Sequence, residues 1–82
     1  MPPIKMFTLS TCSHCRETKR FLDRSGIAYE FVDVDLLDFP TRREVLAEMK
    51  KFSPQLAFPT ILIGDRVIVG FREDRIREAL GI

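Results

Sequence analysis

Several kinds of residue are scarce in this chain, and this scarcity limits the kinds of disulfide and metal site that the chain can form. The 82 residues include two cysteines, one histidine and no tryptophan. Small secreted domains usually carry several disulfides, so one pair of cysteines does not form a disulfide framework. A closed structural zinc site of the usual kind needs four ligands, and Cys12, His14 and Cys15 are the only Cys and His residues. A zinc site of that kind within one chain is therefore not expected, while a site shared between two chains stays open.

The sequence also lacks an excess of one charge and any long apolar segment. Thirteen Lys and Arg residues against twelve Asp and Glu residues give a net charge of +1. Nucleic-acid binding needs a concentrated basic surface, so this balance argues against it. No apolar run approaches the length that spans a membrane, and residues 1–5 do not resemble a signal peptide. We therefore expect a cytoplasmic protein with neither a nucleic-acid nor a membrane partner.

The residues that are present indicate one ordinary globular domain over residues 1–82. Apolar residues make up 45% of the chain, charged residues make up 30%, and seven Phe side chains supply large apolar area. No repeat, linker or low-complexity segment divides the chain. We predict a single domain that is a monomer.

Hydrophobic patterns and capping signals predict seven elements. The first strand carries apolar residues on both faces, as a central strand does, and Ser10 and Thr11 are expected to cap the helix that follows. Thr41 to Glu44 form a capping-box pattern at the start of the second helix. Gly64-Asp65 between two apolar runs indicates a hairpin. Strands are predicted over residues 4–9, 28–34, 58–63 and 66–69, and helices over 13–25, 41–51 and 73–80.

The order of these elements is β-α-β-α-β-β-α, which predicts an α/β fold. A right-handed crossover should make the first two strands parallel. The hairpin should extend the sheet in the antiparallel sense. The expected architecture is therefore a four-stranded mixed sheet flanked by three helices.

The two cysteines lie where the first strand gives way to the first helix. The first turn of a helix presents unpaired N–H groups and the positive end of the dipole, and both stabilise a thiolate. Cys12 is predicted to be the exposed nucleophile, and Cys15, one turn deeper, the resolving thiol. Two inert buried cysteines are the alternative, but a C-x-x-C at a strand-to-helix junction in a βαβ pattern favours redox chemistry.

His14 lies between the two cysteines, and two interpretations of it stay open. A protonated imidazole would add a positive charge that favours the Cys12 thiolate. The alternative is an exposed spacer with no part in the chemistry, since the direction of the ring depends on its rotamer.

Over essentially its whole length the chain resembles the glutaredoxins, a family with the thioredoxin fold. The resemblance implies that the bond before Pro59 is cis, and that Pro59 faces the active-site thiol. It also implies that the backbone of Phe58 pairs with the cysteine of a bound thiol substrate. An ordinary proline at the start of a strand is the alternative. The matching segments are Ile4 to Leu9, Cys12-Ser13-His14-Cys15, Ala57-Phe58-Pro59-Thr60 and Gly70-Phe71-Arg72-Glu73-Asp74.

The resemblance also implies an activity and its partners. The chain would be a dithiol thiol–disulfide oxidoreductase that acts on disulfide-containing proteins or glutathione mixed disulfides. It would bind no permanent cofactor, would use glutathione as a co-substrate, and would be reduced by glutathione or thioredoxin reductase. Besides the cysteines, the implied substrate or glutathione contacts are Thr11, Ser13, Phe58, Pro59, Gly70, Phe71 and Arg72. Further polar candidates are Arg16, Lys19 and Gln55, although each of the basic residues is more often part of a solvated surface.

Departures from the family pattern leave the electron source open. Ser13-His14 stands where C-P-Y-C is typical, and Leu9 occupies the place of a lysine that helps bind the glycine carboxylate of glutathione. The segment Val69 to Asp74 is similar to that of the glutaredoxin-like redoxins that donate electrons to ribonucleotide reductase. Those proteins carry Ser-Gly-Phe-Arg-Pro-Asp there and are reduced by thioredoxin reductase.

Ser13 permits one further interpretation. A subset of glutaredoxins with serine after the first cysteine holds a [2Fe–2S] cluster between two chains, with glutathione as the other ligand. In that case Cys12 would be the metal ligand, and the protein would be a cluster carrier or sensor.

Overall fold

All seven predicted elements are present in the computed structural model, which describes residues 1–82. They follow the order β-α-β-α-β-β-α, with one short 3-10 turn at Val34–Leu36 after the second strand. The elements are β1 (Ile4–Thr8), α1 (Ser13–Arg24), β2 (Glu30–Asp33), α2 (Phe39–Met49), β3 (Thr60–Ile63), β4 (Arg66–Val69) and α3 (Glu73–Leu80).

The four strands form one mixed sheet in the order β2-β1-β3-β4. β1 is parallel to β2 and antiparallel to β3, and β3 and β4 form the antiparallel hairpin. Met6 of β1 lies opposite Phe31 on one side and Ile61 on the other. β1 is thus the central strand that its two apolar faces predicted, and the mixed α/β sheet is confirmed.

The main core lies between α1, α3 and one face of the sheet. Side chains alternate between faces along a strand, so Ile4 and Met6 point to the same side. Burying one such aliphatic side chain contributes about 1.5–3 kcal/mol. α1 buries Cys15, Phe21 and Leu22, as its pattern predicted, together with Thr18. The core cluster consists of Ile4, Met6, Phe21, Leu22, Ile27, Ile61, Ile63, Ile68, Ile76 and Leu80.

Three strands are shorter than predicted, and β1 ends one residue early, at Thr8. β2 covers Glu30–Asp33 instead of residues 28–34, because the chain turns at Val34 into the 3-10 segment. β3 begins at Thr60 instead of residue 58. Pro59 has no N–H to offer to a neighbouring strand, so the ladder starts after it.

α2 begins earlier than its capping pattern predicted. The helix starts at Phe39, and the carboxylate of Asp38 caps it by accepting the Thr41 N–H at 2.9 Å. Pro40 lies in the first turn, where a helix needs no N–H from it. The capping-box prediction is therefore wrong, because Asp38 already satisfies the N–H groups of the first turn.

The loops that follow or precede the strands converge at one end of the sheet. The register pairs Thr8, the last residue of β1, with Asp33, the last residue of β2. It also pairs Phe7 with Thr60, and Thr60 with Val69, the last residue of β4. The segment between β1 and α1, the Phe58–Pro59 segment and residues 70–72 therefore leave the sheet at this same end.

Candidate active site

Cys12 and Cys15 occupy different environments although they are one helical turn apart. Cys12 is the N-cap of α1, and its Sγ accepts the Cys15 backbone N–H at 3.4 Å. Cys12 retains exposed surface, whereas Cys15 is fully buried, and both are free thiols. The capping role predicted for Ser10 and Thr11 is wrong, because the sulfur of Cys12 takes it. The helix thus directs N–H groups at the accessible sulfur and keeps the second thiol behind it.

Burial governs the acid–base behaviour of Cys15. Desolvation raises the pKa of the Cys15 thiol to about 12, and the hydrogen bond and charge of Cys12 act in the same direction. The Leu9 backbone and the positive charge of Lys19 act to lower this pKa. In the reduced protein Cys15 is therefore a neutral thiol at physiological pH. It must lose its proton during any reaction in which it attacks another sulfur.

The loop that carries Cys12 is fixed to the segment after β2. Ser10 donates to the carboxylate of Asp35 twice, from its backbone N–H at 2.9 Å and from its hydroxyl. The hydroxyl of Ser10 is the main cause that lowers the pKa of Asp35, followed by the Ser10 N–H. Arg42 of α2 donates to the backbone carbonyl of Asp35 at 3.2 Å and to that of Leu37 at 2.8 Å. Two parallel neighbouring strands thus brace the active-site loop at their carboxyl ends.

Sequence reasoning missed Asp35, although a signal was available. Parallel strands end at the same edge of a sheet, so polar residues just after β2 lie beside the loop that follows β1. Asp33 and Asp35 come directly at that point in the sequence. Their pairing with partners on β1 and its loop follows once the register of the two strands is known.

The Phe58–Pro59 peptide bond is cis, as the resemblance implies. Pro59 is buried, and its carbonyl accepts the Gly70 N–H at 2.8 Å. The hydroxyl of Thr60 donates to the carbonyl of Ala57 at 2.6 Å, which closes the turn around the proline. These bonds tie the proline segment to the segment between β4 and α3, at the end of the sheet where Cys12 lies.

A small cavity of about 240 Å³ brings four of the predicted residues together, and its lining consists of His14, Gly70, Phe71 and Arg72. Phe71 is half-buried, and its ring centroid lies 6.1 Å from that of Phe21 in the core. Two larger cavities lie elsewhere, one near the start of β1 and one on α2, and neither is lined by a predicted site residue.

The remaining predicted contacts do not line this cavity. Thr11 and Ser13 are exposed next to Cys12 in the chain, and the side chains of Arg16 and Gln55 are exposed. Lys19 is largely withdrawn from solvent, because its ammonium pairs with Asp33 at 3.2 Å. The structure therefore engages Lys19 in an interaction within the protein rather than presenting it as a free contact.

No three or more His, Cys, Asp or Glu side chains are grouped so that they could hold a metal ion. None of the helices has the length and apolar character needed to cross a membrane.

Comparison with known proteins gives the same family from sequence and from structure. The sequence model of the Glutaredoxin family matches residues 4–68. An uncharacterized glutaredoxin-like 8.6 kDa protein in the rubredoxin operon of Clostridium pasteurianum is 38% identical over 73 residues, 89% of this chain and 91% of that protein. The glutaredoxin-like protein NrdH of Salmonella typhimurium is 32% identical over 73 residues, 89% of this chain and 83% of that protein. The crystal structure of methanoredoxin from Methanosarcina acetivorans has a TM-score of 0.93 and 40% identity, covering 99% of this chain and 86% of that chain.

Proposed function

The chain belongs to the glutaredoxin family of thiol–disulfide oxidoreductases, and we propose that Cys12 and Cys15 are its redox-active pair. The observation that carries this proposal is the difference between the two thiols. Cys12 is accessible at the N-cap of α1, and Cys15 is buried one turn behind it. An attacking thiol needs access to its substrate, whereas a resolving thiol needs access only to its partner.

The proposed reaction has two thiol–disulfide exchanges. The thiolate of Cys12 attacks one sulfur of a substrate disulfide, which forms a mixed disulfide and releases the other sulfur as a thiolate that takes a proton from solvent. Cys15 then loses its proton and attacks Sγ of Cys12, which releases the second substrate thiolate. The substrate gains two electrons and two protons in total, and the protein is left with a Cys12–Cys15 disulfide.

The segments around Cys12 would hold the substrate. The cavity lined by His14, Gly70, Phe71 and Arg72 offers two basic side chains beside an aromatic ring, which suits the carboxylates of glutathione. The exposed Thr11 and Ser13 flank the sulfur, and the backbone of Phe58 before Pro59 is the proposed partner of a substrate cysteine. Glu73 and Asp74 occupy the first turn of α3, and their charges oppose an anion at the end of that helix.

We propose protein disulfides or glutathione mixed disulfides as substrates, and either glutathione or thioredoxin reductase as the source of electrons. The chain is similar both to a glutaredoxin-like protein and to an NrdH protein, and Leu9 stands where the family resemblance implies a glutathione-binding lysine. A dithiol that is reduced by glutathione or by thioredoxin reductase works in a reducing compartment, so we propose the cytoplasm as its location. We propose a monomer as its working form.

Two reducing systems supplied separately test this proposal. Reduction of a model protein disulfide is followed with glutathione and glutathione reductase, and in parallel with thioredoxin reductase, both with NADPH as the electron donor. Turnover with at least one system that disappears in Cys12→Ser is the expected result, and the system that sustains it identifies the reductant. Full turnover by Cys12→Ser, or no turnover with either system, would contradict the proposed pair.

The cluster-binding alternative makes a different prediction. Cys12 is the only thiol with exposed surface, so a bridging cluster would take one Cys12 thiolate from each of two chains and the rest from glutathione. Anaerobic incubation with iron, sulfide and glutathione would then give a coloured dimer. A colourless monomer after this treatment would leave thiol–disulfide exchange as the function.

A further inference from the structure

A largely buried ion pair joins α1, the helix that carries Cys15, to the end of β2. The ammonium of Lys19 lies 3.2 Å from Oδ1 of Asp33, and their side chains are only 19% and 16% exposed. The same ammonium lies 3.9 Å from the ring centroid of Phe31, and the hydroxyl of Thr8 donates to Oδ1 of Asp33 at 2.6 Å. Asp33 and Phe31 of β2 therefore hold the lysine in place, and Thr8 of β1 holds Asp33.

Forming such an ion pair costs free energy in two ways. Taking two charges out of water carries a desolvation penalty that their mutual attraction often fails to exceed. Immobilising a lysine side chain adds a loss of conformational entropy. The other basic residues of α1, Arg16, Arg20 and Arg24, remain exposed. Lys19 is thus the one positive charge of α1 that the fold draws into its buried side.

The position of Lys19 on the helix brings its charge to the side of Cys15. Residues four apart lie on the same face of an α-helix, and Cys15 and Lys19 are separated by one such step. Cys15 is fully buried, so solvent does not screen it from a neighbouring charge as it would screen a surface thiol. The ammonium of Lys19 is one of the groups that act to lower the pKa of Cys15.

We propose that Lys19, held in place by Asp33, promotes the resolving step by stabilising the thiolate that Cys15 must form before it attacks the mixed disulfide. Lys19 forms no bond with the reacting sulfurs. It is a positioning residue that acts through Cys15. Asp33 holds the ammonium between α1 and the end of β2, where it is largely withdrawn from solvent. This inference rests on the proposed function, in which Cys15 is the resolving thiol.

Other charged or titratable groups lie near Lys19 and Cys15, so the experiment must separate their effects from that of Lys19. Cys12 and His14 lie at the start of α1, Asp33 belongs to β2, and Arg77 of α3 lies 5.1 Å from the ring of Phe21. The sulfur of Cys12 is blocked in the mixed disulfide, which removes its effect on Cys15. The imidazole is removed by repeating the measurements in a His14→Gln background.

The resolving step is measured in single turnover. Reduced protein is mixed with one equivalent of a symmetrical nitrophenyl disulfide whose released thiolate is coloured. The first release reports the attack of Cys12, and the second release reports the attack of Cys15 on the mixed disulfide. Both rates are recorded from about pH 6 to about pH 10, a range that brackets ordinary thiol ionisation. The proteins are wild type, Lys19→Met, Lys19→Arg and, as a matched loss of charge on the exposed side of α1, Arg20→Met.

Lys19→Met should slow the second release at neutral pH and leave the first unchanged. If losing the charge raises the pKa of Cys15 by about one unit, the thiolate fraction falls about tenfold. A more basic thiolate is also more nucleophilic, with a Brønsted coefficient of about 0.4–0.5, so the net loss is about threefold to fourfold. Burial keeps most of the Cys15 thiol protonated across the measured range in both proteins, so the deficit should persist throughout it. Lys19→Arg should restore the wild-type profile, and Arg20→Met should match wild type throughout.

Removing Lys19 leaves the carboxylate of Asp33 unpaired, so the double variant Lys19→Met/Asp33→Asn is measured as well. It should retain a slowed second release, because the missing ammonium is the cause. A double variant with the wild-type profile, a single variant slowed equally in both releases, or failure of Lys19→Arg to restore the second release would overturn the proposal. Absence of a second release in wild type would instead contradict the assignment of Cys15 as the resolving thiol.

Discussion

The backbone N–H of Cys15 donates to Sγ of Cys12 across 3.4 Å, so the accessible cysteine caps the helix that buries the other one. This bond keeps the sulfur of Cys12 beside the backbone of Cys15 in the first turn of α1. It also means that the nucleophile is held by the first turn of α1, where the positive end of the helix dipole favours a thiolate. The reduced state is therefore already organised for the exchange that follows.

Serine substitution of each cysteine separates their roles. Cys12→Ser should fold normally, since serine is a favourable N-cap residue, yet its disulfide reductase activity should fall to that of the uncatalysed control. Cys15→Ser should accumulate a mixed disulfide at Cys12, because no second thiol is present to release the substrate. Mass spectrometry of the intact protein after exposure to oxidised glutathione checks both outcomes. Accumulation of an adduct on Cys12→Ser would assign the attack to Cys15 instead.

Loosening the loop that carries Cys12 should impair stability in a pH-dependent way. Ser10→Ala removes a hydroxyl that lowers the pKa of Asp35. A carboxyl whose pKa is depressed in the folded state stabilises the protein above its unfolded-state pKa, and this stabilisation is lost as pH falls through the folded-state value. The difference in Tm between wild type and Ser10→Ala should therefore be largest at neutral pH and shrink below about pH 4.

The same experiment has a matched control. Asp35→Asn should lower Tm at neutral pH as Ser10→Ala does, whereas Asp65→Asn in the exposed β3–β4 turn should not. Adding Ser10→Ala to Asp35→Asn should cost little more, since the two residues form one interaction. Additive losses of Tm would show that Ser10 and Asp35 stabilise the fold independently.

Local signals in the sequence were enough for the elements and for the reactive pair. Hydrophobic patterns located the strands, and the C-x-x-C at a strand-to-helix junction located Cys12 and Cys15 within one helical turn. The hairpin at Gly64 followed from its turn residues. Each of these features depends on residues that are close together in the chain, which is why a pattern of a few residues predicts it.

The interactions around the pair could not be predicted in the same way. Ser10 meets Asp35 across 25 positions of the chain, and Lys19 meets Asp33 across 14. Both contacts depend on the register between β1 and β2. The hydrophobic pattern indicates which face of each strand is buried, but it does not determine which residues of the two strands are paired. The start of α2 was also misplaced, because Asp38 and Thr41 are both good N-cap residues and the sequence alone does not rank them.

Arg72 offers a test of whether the cavity beside His14 accepts an anionic thiol. Its side chain is exposed, and an exposed ion pair contributes about 0.2–1 kcal/mol, which corresponds to a change in affinity of up to about fivefold. Arg72→Gln should therefore raise the KM for glutathione or its mixed disulfides by about twofold to fivefold. The rate with an uncharged dithiol should stay as in wild type. Arg75→Gln, an exposed arginine of the same helix that does not line the cavity, is the control. An equal effect of both variants would indicate long-range attraction rather than contact in the cavity.

Alkaline unfolding should report the burial of Cys15. Its pKa is raised from 9.0 to about 12 in the folded protein, so above pH 9 the unfolded chain loses a proton that the folded chain retains. Stability of the reduced protein must then fall as pH rises, by about 1.4 kcal/mol at pH 10 for this one group. Tyr29, whose pKa is raised to about 12 by burial and by Asp23, adds a smaller loss in the same direction.

Urea unfolding of reduced wild type, Cys15→Ala and Tyr29→Phe between about pH 7 and about pH 10 separates the two contributions. Cys15→Ala should lose less stability than wild type over this range, because the group that ionises on unfolding is gone. Oxidised protein should resemble Cys15→Ala, since its sulfur carries no proton in either state. If the free energy of unfolding of all three reduced proteins fell in parallel as pH rises, Cys15 would ionise as readily in the folded chain as in the unfolded one. Cys15 would then be a thiol open to solvent, and its assignment as the buried resolving thiol would be wrong.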